Sequence, residues 1–131
     1  MPAEPDSAVD HAARTFFKGS HLGLAVYEQV RSIIERGGPV EIRVGRSQVA
    51  FRRRRGFAYV WRPGQYLDRP DAEVVLSIAL PRRIQSVRWK EVVQPSPRTW
   101  MHHLELYSVL DLDGEVEGWL DEAGAAASSE R

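Results

Sequence analysis

The sequence contains no cysteine. That excludes disulfides, a thiolate zinc site and a cysteine nucleophile, and it suits a reducing compartment. Lysine is nearly absent as well: Lys18 and Lys90 stand against 16 arginines. The chain carries no net charge, with 18 basic and 18 acidic residues. A nucleic-acid role would therefore need a local patch rather than a field of one sign over the whole molecule. No apolar run approaches the length of about 18 residues that a membrane-spanning helix requires. The N-terminus, Met1-Pro2-Ala3-Glu4-Pro5-Asp6, is acidic and lacks the apolar stretch of a secretory signal. The chain reads as cytoplasmic, with no membrane contact. A glycine-rich phosphate loop, a Gly-x-Ser-x-Gly elbow and a His-Glu-x-x-His pattern are all missing.

What is present suits an ordinary globular chain: 131 residues, 43% apolar and 27% charged. The length predicts one domain over 1–131, ordered over about 8–123 and frayed at both ends. Apolar residues at three- and four-residue steps predict a first helix from a cap at Asp6–Ser7 through Phe17, ended by Gly19. A second helix starts at a Ser20 cap and stops at Gly37-Gly38-Pro39. Strand signals follow at 40–44, 48–53, 57–62, 73–80 and 99–107, with a short one at 89–93 between proline-rich loops. Asp111 opens a last helix with the stripe Leu112, Val116, Trp119, Leu120 and Ala123. The expected fold is α+β: a two-layer sandwich of two N-terminal helices, an antiparallel sheet of about five strands, and one C-terminal helix.

Period-two alternation divides the strand residues between two faces. Ile42, Val44, Val49, Phe51, Val60, Leu104 and Leu106 fall on the core face. Ala50, Arg52, Phe57, Tyr59, Trp61, Ser77, Ala79, His103, Glu105 and Tyr107 fall on the other. A plain solvent face has no use for Phe57, Tyr59 and Trp61 together. Either the loops 63–72 and 81–99 cover this side, or it is a binding surface.

Three groups carry candidate chemistry. From Arg43 to Arg62 there are seven arginines and no acid, four of them consecutive at Arg52–Arg55. Arginines beside aromatics can grip phosphates and stack on bases. They can equally lay their stems over aromatic rings at a solvated hairpin tip. The six acids of 111–122 could neutralise such a patch from within. Second, His102 and His103 are strand neighbours and point to opposite faces, so they cannot share one metal. His103 and Glu105 share a face and could form an acid–base pair, two metal ligands that lack a third, or simply a structural hydrogen bond. Third, Arg88-Trp89-Lys90-Glu91 could clamp an anion through Arg88, or anchor a loop through Trp89.

The segments Arg46-Ser47-Gln48-Val49-Ala50-Phe51-Arg52, Phe57-Ala58-Tyr59-Val60-Trp61, Arg88-Trp89-Lys90-Glu91-Val92-Val93 and Met101-His102-His103-Leu104-Glu105-Leu106, with the closing Asp113-x-Glu115-Val116, resemble a small bacterial family, that of domain of unknown function 5655. The resemblance spans about residues 14–123. It implies a compact α+β domain, found alone or fused to other small domains, and it implies no activity. Some similar sequences bear a label of predicted transport protein, which nothing membrane-spanning in this sequence supports. The residues carrying the resemblance include Gln48, Arg88, His102, His103 and Glu105, types that packing alone does not select.

The sequence thus reads as a binding or interaction domain with its site on the aromatic sheet face. Arg52, Tyr59, Trp61, His103 and Glu105 line that site, with Gln48 and Arg88 at its rim and Trp89 beside them. The occupant is a small anionic ligand or a protein partner, and the chain is a monomer or homodimer. No cofactor, metal or catalytic residue is assigned. The alternatives are an accessory nucleic-acid binder using Arg52–Arg55 and an enzyme using His103 with Glu105.

Overall fold

The computed structural model describes residues 5–65 and 71–129, with side chains from Ala8 onward. The elements run α1 (Pro5–Phe16), α2 (His21–Arg36), β1 (Glu41–Val44), β2 (Val49–Arg52), β3 (Gly56–Trp61), β4 (Val74–Leu80), β5 (Glu91–Ser96), β6 (Thr99–Leu106) and α3 (Gly114–Ser128). The fold is α+β, as the sequence predicts. The sheet has six strands rather than about five, in the order β1-β2-β3-β4-β6-β5, and every neighbouring pair is antiparallel. The sixth is β5, which runs on through Pro95 where a loop is expected from composition. β5 lies at the sheet edge, where a missing N–H costs no ladder bond.

Local chemistry sets the helix ends. Gly19 takes φ +87°, a conformation that favours glycine, and turns the chain from α1 into α2. Ser20 then caps α2: its Oγ accepts from the Gly23 N–H at 3.0 Å and donates to Glu73. Gly23 has to be small, because a Cβ there would lie 2.5 Å from the Phe17 ring. α1 already begins at Pro5, and the cap expected at Asp6–Ser7 lies outside the described side chains.

The last helix starts later than the sequence suggests. Asp111 closes a short 3-10 turn at Val109–Asp111, accepting from the Tyr107 and Ser108 N–H groups at 2.8 and 3.1 Å. Asp113 is the cap of α3, taking the Val116 N–H at 3.2 Å. The far end also differs, since α3 continues to Ser128 rather than fraying after residue 123. The β2–β3 hairpin holds it there. The Arg54 and Arg55 N–H groups donate to the Ala127 carbonyl at 3.0 and 3.3 Å. The Arg55 guanidinium donates to the carbonyls of Ala126 and Ser129.

All three helices pack on one face of the sheet. Val49, Phe51, Val60, Leu104 and Leu106 lie beneath them, fully or almost fully buried, with Ile42 and Val44 half-buried at the margin. The expected stripe of α3 closes over them, from Leu112 to Ala123.

Phe57 is a correction. Simple alternation puts it with Tyr59 and Trp61, yet it is 1% exposed and packs in the helix-side core. Phe51 pairs with Ala58 while Arg52 pairs with Gly56, so residue 57 is the extra one of a β-bulge. A bulge breaks the two-residue period. The Arg53 guanidinium covers the Phe57 ring at 5.4 Å.

Candidate functional site

The register defines the second face of the sheet row by row. One row crosses all six strands in the order Arg43, Ala50, Tyr59, Ser77, His103, Glu91. The next holds Trp61, Val75 and Glu105. Gln48, one residue ahead of β2, continues that row opposite Trp61. On the other side lie Glu41 with Arg52, and Ala79 with Met101 and Val93. Among the described residues, no helix packs against this face; residues 66–70 of the loop 63–72, expected as one cover for it, lie outside the described residues. The buried members of the face are Ala50, Val75 and Ser77, and Tyr59, Trp61, Met101 and His103 are half-buried around them.

A hydrogen-bond chain occupies its centre. Trp61 Nε1 donates to Ser77 Oγ at 2.8 Å, and Ser77 Oγ lies 2.6 Å from His103 Nδ1. Indole N–H can only donate, so the Ser77 hydroxyl accepts from Trp61, and its bond with Nδ1 runs in the direction that the histidine tautomer sets. Burial pushes the His103 pKa below the usual histidine range, against a smaller upward pull from Glu91. The Trp61 and His103 rings meet edge to face at 6.2 Å. Ser77 is the residue that sequence reasoning left out of the site. Its signal is a lone hydroxyl within the most apolar strand, Val74-Val75-Leu76-Ser77-Ile78-Ala79-Leu80.

The expected site residues are not gathered in one place. Trp61, His103, Glu105 and Gln48 share one part of the face. Glu105 turns to Tyr107 (3.3 Å) and Lys90 (4.0 Å), while His103 takes Ser77. The expected His103–Glu105 pair is thus two residues with separate partners. Arg52 sits at the opposite end of its strand, beside Tyr59. A Cβ at Gly56 would overlap the Tyr59 hydroxyl and lie 3.3 Å from the Arg52 guanidinium, so glycine makes room for both. Burial raises the Tyr59 pKa, and Arg52 opposes the rise. Arg52 Nε is buried without a hydrogen-bond partner, its nearest acid being Glu41 at 3.7 Å.

Arg88 and Trp89 belong to the other side of the sheet, which corrects their expected place at the rim. The Trp89 ring packs at a tilt against Trp119 of α3 at 4.2 Å and against His102 at 4.7 Å, and its Nε1 donates to the Ile84 carbonyl. Arg88 binds Asp113 and Glu115 at 2.9–3.1 Å and the Asp111 carbonyl at 2.8 Å, so its charge serves the start of α3. The segment 81–90 is therefore a strap on the helix side of the sheet, with Trp89 in contact with both β6 and α3. His102 locks it: the Ile84 N–H donates to Nε2 and Nδ1 donates to the Trp100 carbonyl, each at 3.0 Å. His102 is fully buried, and burial lowers its pKa. The two histidines do lie on opposite faces.

The arginine run is divided in the same way. Arg53 caps the end of α2 through the Ile34 and Pro39 carbonyls at 3.0 and 3.1 Å. Arg55 caps α3. Two of the four consecutive arginines are thus committed to helix C-termini, where a cation is favoured. Among the described residues, no group of three or more His, Asp or Glu is placed to hold a metal ion. No helix of the described residues is long and apolar enough to cross a membrane.

No curated protein and no solved structure matches this chain. The family model for domain of unknown function 5655 matches residues 13–123, and the chain belongs to that family.

Proposed function

We propose that the protein is an interaction domain whose working surface is the open face of the six-stranded sheet. One observation carries this reading: Tyr59, Trp61, Met101 and His103 stand side by side on a face that none of the three helices covers. Aromatic groups with a polar end are favoured where a surface is to be covered by a partner. The row geometry supports a broad partner more than a small ligand. The basic group Arg52 and the Trp61–Ser77–His103 chain stand at different parts of the face, so a small anion at Arg52 would not reach the histidine. Lying on the sheet, they suit an occupant that spans several strands.

Titration of 15N-labelled protein with nucleotides, sugar phosphates and short oligonucleotides, alongside dilution of the protein alone, tests the reading. Resonance changes should concentrate on the amides of Tyr59, Trp61, Ser77, Met101 and His103. Changes confined to α1, α2 and α3 would contradict it. Changes confined to Arg53–Arg55 with a steep loss in salt would favour the nucleic-acid alternative instead.

A further inference from the structure

Resting on that reading of the open face, we infer that its occupant is a second copy of this chain, related by a twofold axis lying between β3 and β4 and running along the strands. The charge pattern of the rows carries the inference. The central row begins with a cation, Arg43 on edge strand β1, and ends with an anion, Glu91 on edge strand β5. Between them stand Ala50 and Tyr59, then Ser77 and His103. Turning a second sheet over about that axis reverses the strand order and keeps the row. β1 then lies over the second copy's β5, β2 over β6, and β3 over β4.

Arg43 of each copy thereby meets Glu91 of the other, twice in one dimer. Tyr59 lies opposite Ser77, and Trp61 opposite Val75. Gln48 faces Glu105, an amide donor opposite a carboxylate. The perpendicular in-plane axis would instead set Arg43 over the second copy's β1 and Glu91 over its β5, like charge on like. Arg43 is 62% exposed in its side chain, and among the described residues its one ion pair is with Glu41 at 3.3 Å, so it can turn to a partner without breaking the fold. Val93, exposed on the same face, adds an apolar margin.

This is the isologous arrangement that a twofold dimer requires, in the aligned packing of two sheets whose strands lie within about 30° of each other. Six strands at about 4.8 Å spacing and rows about 7 Å apart give on the order of 500 Å² per copy. That falls below the roughly 800 Å² per partner of a standard interface. The dimer should therefore dissociate on dilution rather than be permanent.

Sedimentation equilibrium of the full chain over a dilution series, with charge exchange at the row ends, tests it. The wild-type chain should pass from monomer to dimer, and high salt should weaken the association. Arg43→Glu and Glu91→Arg should each raise the dissociation constant at least about tenfold, since each sets two like pairs face to face. Mixing the two variants should restore association as a heterodimer, and Arg43→Glu with Glu91→Arg in one chain should restore the homodimer. Both positions are exposed, and circular dichroism checks that each variant is folded. A chain that stays monomeric at millimolar concentration would overturn the dimer while leaving the open-face reading to its own titration. A dimer indifferent to both exchanges, with resonance changes on the helices, would overturn both. A dimer indifferent to the exchanges but with changes on the open face would overturn this axis alone.

Discussion

His102 and His103 are neighbours in the chain and opposites in the fold. On the helix side, both ring nitrogens of His102 are bonded, and its ring packs against Trp89, which in turn packs against Trp119. On the open side, His103 is bonded through one nitrogen to Ser77 and is half-exposed. The same division runs through the arginines. Arg88 satisfies three acceptor groups at the start of α3, whereas the buried Nε of Arg52 has no hydrogen-bond partner. The helix-side layer is complete as it stands. The other face carries half-buried aromatic and polar side chains, Tyr59, Trp61 and His103, that none of the three helices covers.

Substitutions that pair one residue from each side sharpen this contrast. The largest difference is expected between Phe57 and Tyr59, two residues apart in β3. Phe57→Ala empties a core position and should cost about 3–5 kcal/mol of unfolding free energy in urea. Tyr59→Ala removes a half-exposed ring and should cost about 1 kcal/mol. Equal costs would mean that the bulge does not turn Phe57 inward.

The histidines come next. His102→Ala leaves the Ile84 N–H without its acceptor in a closed site, at a cost of about 2–4 kcal/mol. His103→Ala should cost less. Both rings have pKa values lowered by burial, so folding favours their neutral forms. The stability linked to them is fully present above about pH 6.5 and is lost as pH falls through the lower folded values. Measured against pH, each alanine variant should therefore lose less stability than wild type between neutral and mildly acid conditions. An unchanged slope in both would contradict the buried neutral assignment.

The smallest contrast lies between the arginines. Arg88→Ala should destabilise by about 1–2 kcal/mol, through its hydrogen bonds to the start of α3. Arg52→Met should change stability by no more than about 0.5 kcal/mol, because its Nε leaves no hydrogen bond to lose.

Most of the fold is legible in the sequence because it is written in local signals. Ser20, Gly19 and Gly37-Gly38-Pro39 mark helix ends by cap and backbone chemistry, and alternation in β1, β2 and β6 marks the core face. The misplacements have a common cause. Phe57 needs the pairing of β2 with β3 to reveal the bulge, and Pro95 needs the strand order to reveal an edge. Arg88 and Trp89 need α3, distant in sequence, to reveal what they hold. The site was legible only as a set of residue types on one strand face. Its Trp61–Ser77–His103 chain and its charged row arise from register between three to six strands, which spacing along the chain does not encode.

The most direct test of the contrast between the two faces is hydroxyl-radical footprinting of dilute protein, read residue by residue by mass spectrometry. Trp61 and Met101 should be labelled well above Trp119 and Phe57, and should become protected as the protein is concentrated. Trp61 and Met101 as protected in the dilute chain as Trp119 would show a face already covered within the monomer, and would contradict the account.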